Sequence, residues 1–540
     1  MRLRGYRWVI ASFVVAGCSE PPREDEVAGE TSSASNPTQP GSSTSTGNED
    51  ESGDNGDKLD IGLAPDMGTT LPPSEASCDD LEDLPTNQGC EFWAVDLPNV
   101  SSAPLAVTPH DQQFAIVVTN SLPEQTANVE VFVGSSETAI ELGTVPSDTM
   151  RVFQLPAMSI TPGATTADGT AYRVVTDVPI TAYQFQPLDN TNPVYSNDAT
   201  ILFPTHVLGL DYTAITADAT LASSDAFSES DANTGAFVSV IATEDGTTVT
   251  LFPTAELHPG SVTDVVLDRG QVLTAISSER GAPTFGNLSG SRVVADAPVA
   301  VFSGSVATSE PSVNASCCAD HVEHQMLPLT AWGTGYVAAP AAAAQGSGND
   351  ASMFRVTGAA DGTVLEYNPI APEGAPATID AYETVAFITD VAFSVRSADG
   401  DPFAVSQFLL SNQYFGGLGG RPGDPSMMVL AAVEQFQDRY VFLMPQGYAS
   451  NYVTVAAPAD AVLTLDGSPV AAALTPMGQV DGVAFGYAHV TVAAGPHVID
   501  GDLPFGIVAS GHADDVSYGY VGGSGVAKIA EPPPLPPPAG

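Results

Sequence analysis

The sequence predicts an all-β protein: tandem repeats of β-sandwich-like modules behind a disordered acidic linker. Blades of a β-propeller are the alternative use of the same strands. Three observations carry this prediction. From Cys78 onward, β-branched and aromatic residues alternate with polar ones between clusters of Gly, Pro, Asn and Asp, and long helical periodicity is nearly absent. One stretch, SRVVADAPVAVFSGS at Ser291–Ser305, recurs three more times, with Asp177 and Pro179, Asp401 and Pro402, and Asp502 and Pro504 at its centre. Proline fixes φ and donates no N–H, so each copy reads as two short strands joined at a turn. Ahead of each copy lies a further pair of alternating runs, such as FVSVIATEDGTTVTLF and MFRVTGAADGTVLEY. Asp245-Gly246 and Asp361-Gly362 then read as type I′ hairpin turns.

Taken in order, the 540-residue chain opens with Arg2, Arg4 and Arg7 before a short apolar run, Trp8–Ala16. This is the pattern of a signal peptide over residues 1–17, too short to span a bilayer. It ends in Val15-Ala16-Gly17-Cys18, which resembles the bacterial lipobox, so Cys18 is the expected lipidation site. By resemblance to lipoprotein sorting rules, Ser19 favours the outer membrane. The expected location is outside the cell, anchored only through the lipid. Residues 18–77 are rich in Ser, Thr, Gly, Pro and acids and cannot bury enough apolar surface to fold. They are expected to be an extended tether. The β region follows over 78–526, with repeats near 78–198, 199–320, 321–424 and 425–526. Residues 527–540 form a Pro-rich tail with polyproline II character.

Charge narrows the function. The chain carries 15 Lys and Arg against 64 Asp and Glu, a formal net charge of −49. A nucleic-acid partner is excluded, because phosphate binding needs basic patches. No phosphate-binding Gly loop, nucleophile elbow or supported acid pair is present, so the chain reads as no enzyme and needs no cofactor.

The candidate site residues fall into three groups. Each repeat boundary carries an aspartate: Asp198, Asp320, Asp424 and Asp515. A turn carboxylate that accepts backbone N–H groups explains them as structural residues. His321, Glu323 and His324 are weak metal candidates whose offsets match no zinc motif, so no metal is assigned. With Cys18 lipidated, four thiols remain: Cys78, Cys90, Cys317 and Cys318. Export to an oxidising compartment favours disulfides. Of the three pairings, Cys78–Cys90 is preferred, with Cys317–Cys318 as a vicinal bridge or bonded between repeats.

The segment CCADHVEHQMLPLTAWGTGYV, Cys317–Val337, resembles the signature of the IgGFc-binding protein N-terminal domain family. The matching residues are Cys318, Asp320-His321, Gln325, Pro328, Trp332-Gly333 and Tyr336, after the strand PVAVFSGS. GCEFWAVDLPN at Gly89–Asn99 and GDPSMMVL at Gly423–Leu430 look like further blocks of the same family. The resemblance covers Cys78 to Val526. It implies a non-enzymatic extracellular binding or adhesion role with a glycan or glycoprotein ligand. Metal-assisted hydrolysis and a purely structural envelope role are the alternatives. Oligomeric state is not legible.

Overall fold

The structure is a computed structural model. It describes residues 77–81, 84–100, 109–158, 160, 170–188, 196–219, 235–278, 286–311, 319–344, 348–415 and 422–531. Cys18, Cys317 and Cys318 lie outside the described residues. By its contacts the chain divides into residues 1–65 and 66–540, and all described residues belong to the second unit.

The described residues form antiparallel sheets joined by short 3-10 turns, with no α-helix among them. The first set of strands is β1 (Gly89–Val95), β2 (Phe114–Asn120), β3 (Ala127–Val133), β4 (Glu141–Val145), β5 (Thr149–Leu155), β6 (Ala171–Gln186) and β7 (Asp198–Leu202). The second is β8 (Gly209–Thr213), β9 (Ala236–Ala242), β10 (Thr247–Phe252), β11 (Asp264–Leu267), β12 (Val272–Ile276), β13 (Arg292–Thr308) and β14 (Asp320–Gln325). The third is β15 (Gly335–Ala338), β16 (Ser352–Gly358), β17 (Thr363–Asn368), β18 (Thr378–Ile379), β19 (Thr384–Thr389), β20 (Phe393–Ser397), β21 (Phe403–Phe408) and β22 (Met427–Val429). The fourth is β23 (Gln437–Met444), β24 (Ser450–Pro458), β25 (Leu463–Leu465), β26 (Ser468–Pro469), β27 (Thr475–Val480), β28 (Val483–Thr491), β29 (Gly495–Ala513) and β30 (Val516–Val521).

The Asp-Pro stretch does not divide into two strands joined at a turn, except in the third module. β6, β13 and β29 each run unbroken through it, and only β20 and β21 are separate. The first half of β13 pairs with β8 and β10, and the second half with β9 and β14. The strand thus passes from one half-sheet into the next. The bend interrupts the ladder, and the aspartate repairs it. The backbone N–H of Asn128, Thr248 and Val462 donates to Asp177, Asp296 and Asp502 respectively, each at 2.7 Å. The proline after each aspartate has no N–H to strand there.

The expected Asp-Gly hairpins are also corrected. β9 and β10 do not pair with each other, because β13 lies between them. Of the turn residues only Gly246 has positive φ, +75°, so the turn is not type I′, which needs two. Thr247 Oγ1 closes it by donating to the Glu244 carbonyl at 2.9 Å. A Cβ at Gly246 would meet nothing within 4 Å, so a substitution suffers backbone strain alone. Gly246→Val is expected to cost about 1–2 kcal/mol, read as a lowered melting temperature. Wild-type melting would contradict this φ.

The strand after each boundary carboxylate pairs with the long strand before it: β7 with β6, β14 with β13, β22 with β21 and β30 with β29. These four closing strands also pack on one another. β7 lies beside β14 and β30, and β22 lies beside the same two, which closes a circuit. One apolar core draws on all four modules, with Phe185, Val301, Phe408 and Val455 among its members. Two further cores lie between the first and second modules and between the third and fourth. Thr86 bridges Gly525, and the Val526 N–H donates to the Pro85 carbonyl at 3.1 Å, so the segment before β1 meets the segment after β30. Cys78 and Cys90 are joined by a disulfide beside that meeting point.

Candidate functional site

Two of the boundary carboxylates, Asp198 and Asp320, meet where the closing strands pack together. β14 reads DHVEHQ, yet every residue in it is buried. Its five polar residues need partners to stay buried. Part of that need is met on β7 and by the residues flanking it. The N–H groups of His321, Glu323 and Gln325 donate to Ser196 Oγ at 3.1 Å, Asp198 Oδ2 at 3.1 Å and Thr200 Oγ1 at 3.0 Å. Gln325 Oε1 accepts from the Phe203 N–H at 2.8 Å. Side chains here replace the carbonyls of an ordinary ladder, at a constant offset along both strands.

Asp198 ties three modules together. Its Oδ2 also accepts the Met427 N–H at 3.1 Å, and its Oδ1 accepts from Ser426 Oγ at 2.6 Å. Asp320 Oδ1 accepts the Asn197 N–H at 2.6 Å, and Asn197 Nδ2 donates to the Tyr448 hydroxyl at 2.8 Å. The Asp424 N–H donates to Ser517 Oγ at 2.9 Å. Asp515 differs from the other three. It sits half-buried at φ +54° in the turn between β29 and β30 and accepts from Asn412 Nδ2 at 2.7 Å.

Alternation along β14 decides the fate of the metal candidates. His321 and Glu323 are two residues apart and share a face, while His324 projects from the other. His321 Nε2 and Glu323 Oε2 are 3.1 Å apart, Gln184 Nε2 donates to Glu323 Oε1 at 3.0 Å, and His324 Nδ1 faces the Gln325 carbonyl at 2.6 Å. Among the described residues, no three His, Cys, Asp or Glu side chains are grouped to hold one metal ion.

Burial sets the protonation. It pushes the carboxyls of Asp198, Asp320 and Glu323 well above their ordinary range, and the Asp198 charge lifts Asp320 further. It pushes His321 down to about 3 and His324 down to about 4. Burial thus disfavours the charged form of both partners in the His321–Glu323 contact. These side chains are at most 1% exposed, so no solvent-borne substrate reaches them.

Sequence reasoning missed the glutamines and one tyrosine series. Gln184 Nε2 donates to the Val95 carbonyl at 3.2 Å, and Gln407 Nε2 to the Ala339 carbonyl at 3.1 Å. In the second module Ser303 Oγ does the same to Ile215 at 2.7 Å. Tyr212 and Tyr336 donate to the Val299 and Phe403 carbonyls at 2.8 Å and 2.7 Å, and Tyr440 donates to that of Phe505. Each of these hydroxyls also accepts an N–H from three residues upstream. The signal was present in the repeated YQF and SQF triplets and in a tyrosine early in the first strand of three modules.

A family model described as IgGFc binding protein matches residues 198–511, from the first residue of β7 into β29. The human IgGFc-binding protein is 29% identical over 239 residues, which is 43% of this chain and 4% of that protein. The chain thus spans a small part of that relative's length. No solved structure matches. Among the described residues no helix is long and apolar enough to cross a membrane. Because the match covers more than half of the chain and includes three of the four closing strands, this protein belongs to the IgGFc binding protein family.

Proposed function

We propose that this chain is an exported, non-enzymatic binding protein. It is lipid-anchored at Cys18 on the outside of a bacterial outer membrane and presents its β-modules to a glycan or glycoprotein ligand. One observation carries the reading: Asp198, Asp320, His321, Glu323 and His324 are enclosed at the centre, with Asp198 bonded to strands of neighbouring modules, which leaves the outer faces of the modules for function. Family membership supports an extracellular binding role. Immunoglobulin Fc belongs to the name of the human relative and is not carried over as the ligand. The metal-assisted hydrolysis considered from His321, Glu323 and His324 gains no support from side chains this deeply enclosed.

The test uses cells that produce the full chain. Wild-type protein is expected in the outer-membrane fraction and is labelled by antibody on intact cells, while Cys18→Ser is found in soluble or unprocessed form. The purified protein is expected to retain ligands on glycan and glycoprotein arrays. Unchanged detergent partition of Cys18→Ser would contradict the anchor. Empty arrays, with unchanged cell–cell cohesion in a deletion strain, would contradict the binding role.

A further inference from the structure

The fourth module departs from the repetition. In each of the first three, the half-sheet that holds the closing strand ends at β5, β12 or β19. The fourth has the equivalent β28 and then one more strand, β27. The circuit of closing strands does not use it. β27 instead lies against β15, β17 and β20 of the third module. The approach is close: a Cβ at Gly478, φ +113°, would stand 2.4 Å from the Asn368 carbonyl oxygen. Ser394 Oγ donates to the Gln479 carbonyl at 2.9 Å.

This added strand walls a cleft of about 400 Å³, lined by Glu366, Tyr367, Asn368 and Arg396 from the third module and by Gln479 and Asp481 from the fourth. We propose that this cleft between the third and fourth modules is a binding site for a neutral sugar unit of a glycan. The proposal rests on the binding role above and names its ligand class and place.

The lining selects that chemistry. Arg396 is hydrogen-bonded to Glu366 through Nη2 and lies 3.5 Å from Asp481 through Nη1, so one cation sits between the two carboxylates and one negative charge is left over. That leaves little to hold a metal ion. An anionic sugar would meet this acidic pair on a chain of formal charge −49. What remains is a mixture of donors and acceptors suited to uncharged hydroxyls: the exposed amides of Asn368 and Gln479, the free edges of the carboxylates, and the 38% exposed guanidinium. The volume falls within the range of small-molecule sites, and the site sits between two modules as such sites often do.

The test is an array of neutral oligosaccharides ending in hexose or N-acetylhexosamine, beside sialylated and sulfated ones, followed by calorimetric titration of the retained glycan into the full-length protein. A neutral glycan is expected to bind. Asn368→Ala/Gln479→Ala is expected to weaken it by about tenfold or more while melting like wild type, since both side chains are exposed. Arg396→Lys tests the fork geometry and is expected to weaken binding as well. An unchanged Kd in the double variant, selective retention of anionic glycans, or no neutral glycan bound would each overturn the assignment. Equal binding of a glycoprotein by wild type and double variant would leave the binding role standing and remove this cleft from it.

Discussion

Asp198→Ala is expected to destabilise the protein by about 4 kcal/mol, seen as one cooperative unfolding transition moved to lower urea concentration. The carboxylate accepts the N–H groups of Glu323 and Met427 and the hydroxyl of Ser426, all wholly buried. Its removal strands two backbone donors at about 1–3 kcal/mol each and leaves a hole where three modules meet. Asp198→Asn retains an acceptor oxygen and adds a donor toward Ser426, whose hydroxyl also reaches the Gly519 carbonyl at 3.4 Å. It is expected to recover most of the loss. Asp515→Ala, at a half-buried turn, is expected to cost less than about 1 kcal/mol. Equal effects at Asp198 and Asp515 would contradict a special central role. Two separate transitions in the wild type would contradict a core shared by four modules.

The second large effect is a fall in stability as pH rises above neutrality. Asp198, Asp320 and Glu323 have folded-state pKa values raised by burial, from ordinary values of 3.8, 3.8 and 4.5. The stability tied to their protonation is fully present below those ordinary values. It is lost as pH climbs toward the folded values, because the unfolded chain has already released the protons. The buried histidines act the other way. His321, held down to about 3, and His324 and His489, each held down to about 4, contribute stability that is present above 6.5 and lost as pH falls. Between about pH 4.5 and 6.5 the two sets oppose each other. Above 6.5 the carboxylates act alone, at about 1.4 kcal/mol per pH unit for each one still protonated. The melting temperature is therefore expected to fall as pH rises above 6.5. Repulsion among the surface acids works in the same direction, but salt screens it. The drop is expected to persist in high salt and to shrink in Asp198→Asn. A drop that vanishes in salt would assign it to the surface alone.

The repeated β-modules were legible because alternation and turn residues are local signals. The long strands were not. Asp296 and Pro298 look like punctuation, and only the neighbouring Thr248 N–H shows that the aspartate repairs a ladder instead of ending a strand. The Asp-Gly runs were misjudged for a related reason. A turn fixes where the chain reverses, but β13 inserts between β9 and β10 from a distance in sequence. Asp198, Asp320 and Asp424 were identifiable as a recurring set. The convergence of the first two was not, since nothing local encodes that β7, β14, β22 and β30 share a centre. His321, Glu323 and His324 suggested a metal site because the residue types fit. Alternation puts His324 on the face opposite His321 and Glu323, and burial disfavours the charged carboxylate a metal would need.

The most direct test is amide hydrogen exchange of the intact chain, followed at Glu323 and Met427, the two backbone donors to Asp198. If the closing strands form the shared, closed centre described here, both amides belong to the slowest class and exchange only through global unfolding, together with the strands around them. Exchange within minutes at either amide, while the outer sheets stay protected, would show that the centre opens on its own and would contradict a closed centre shared by the modules.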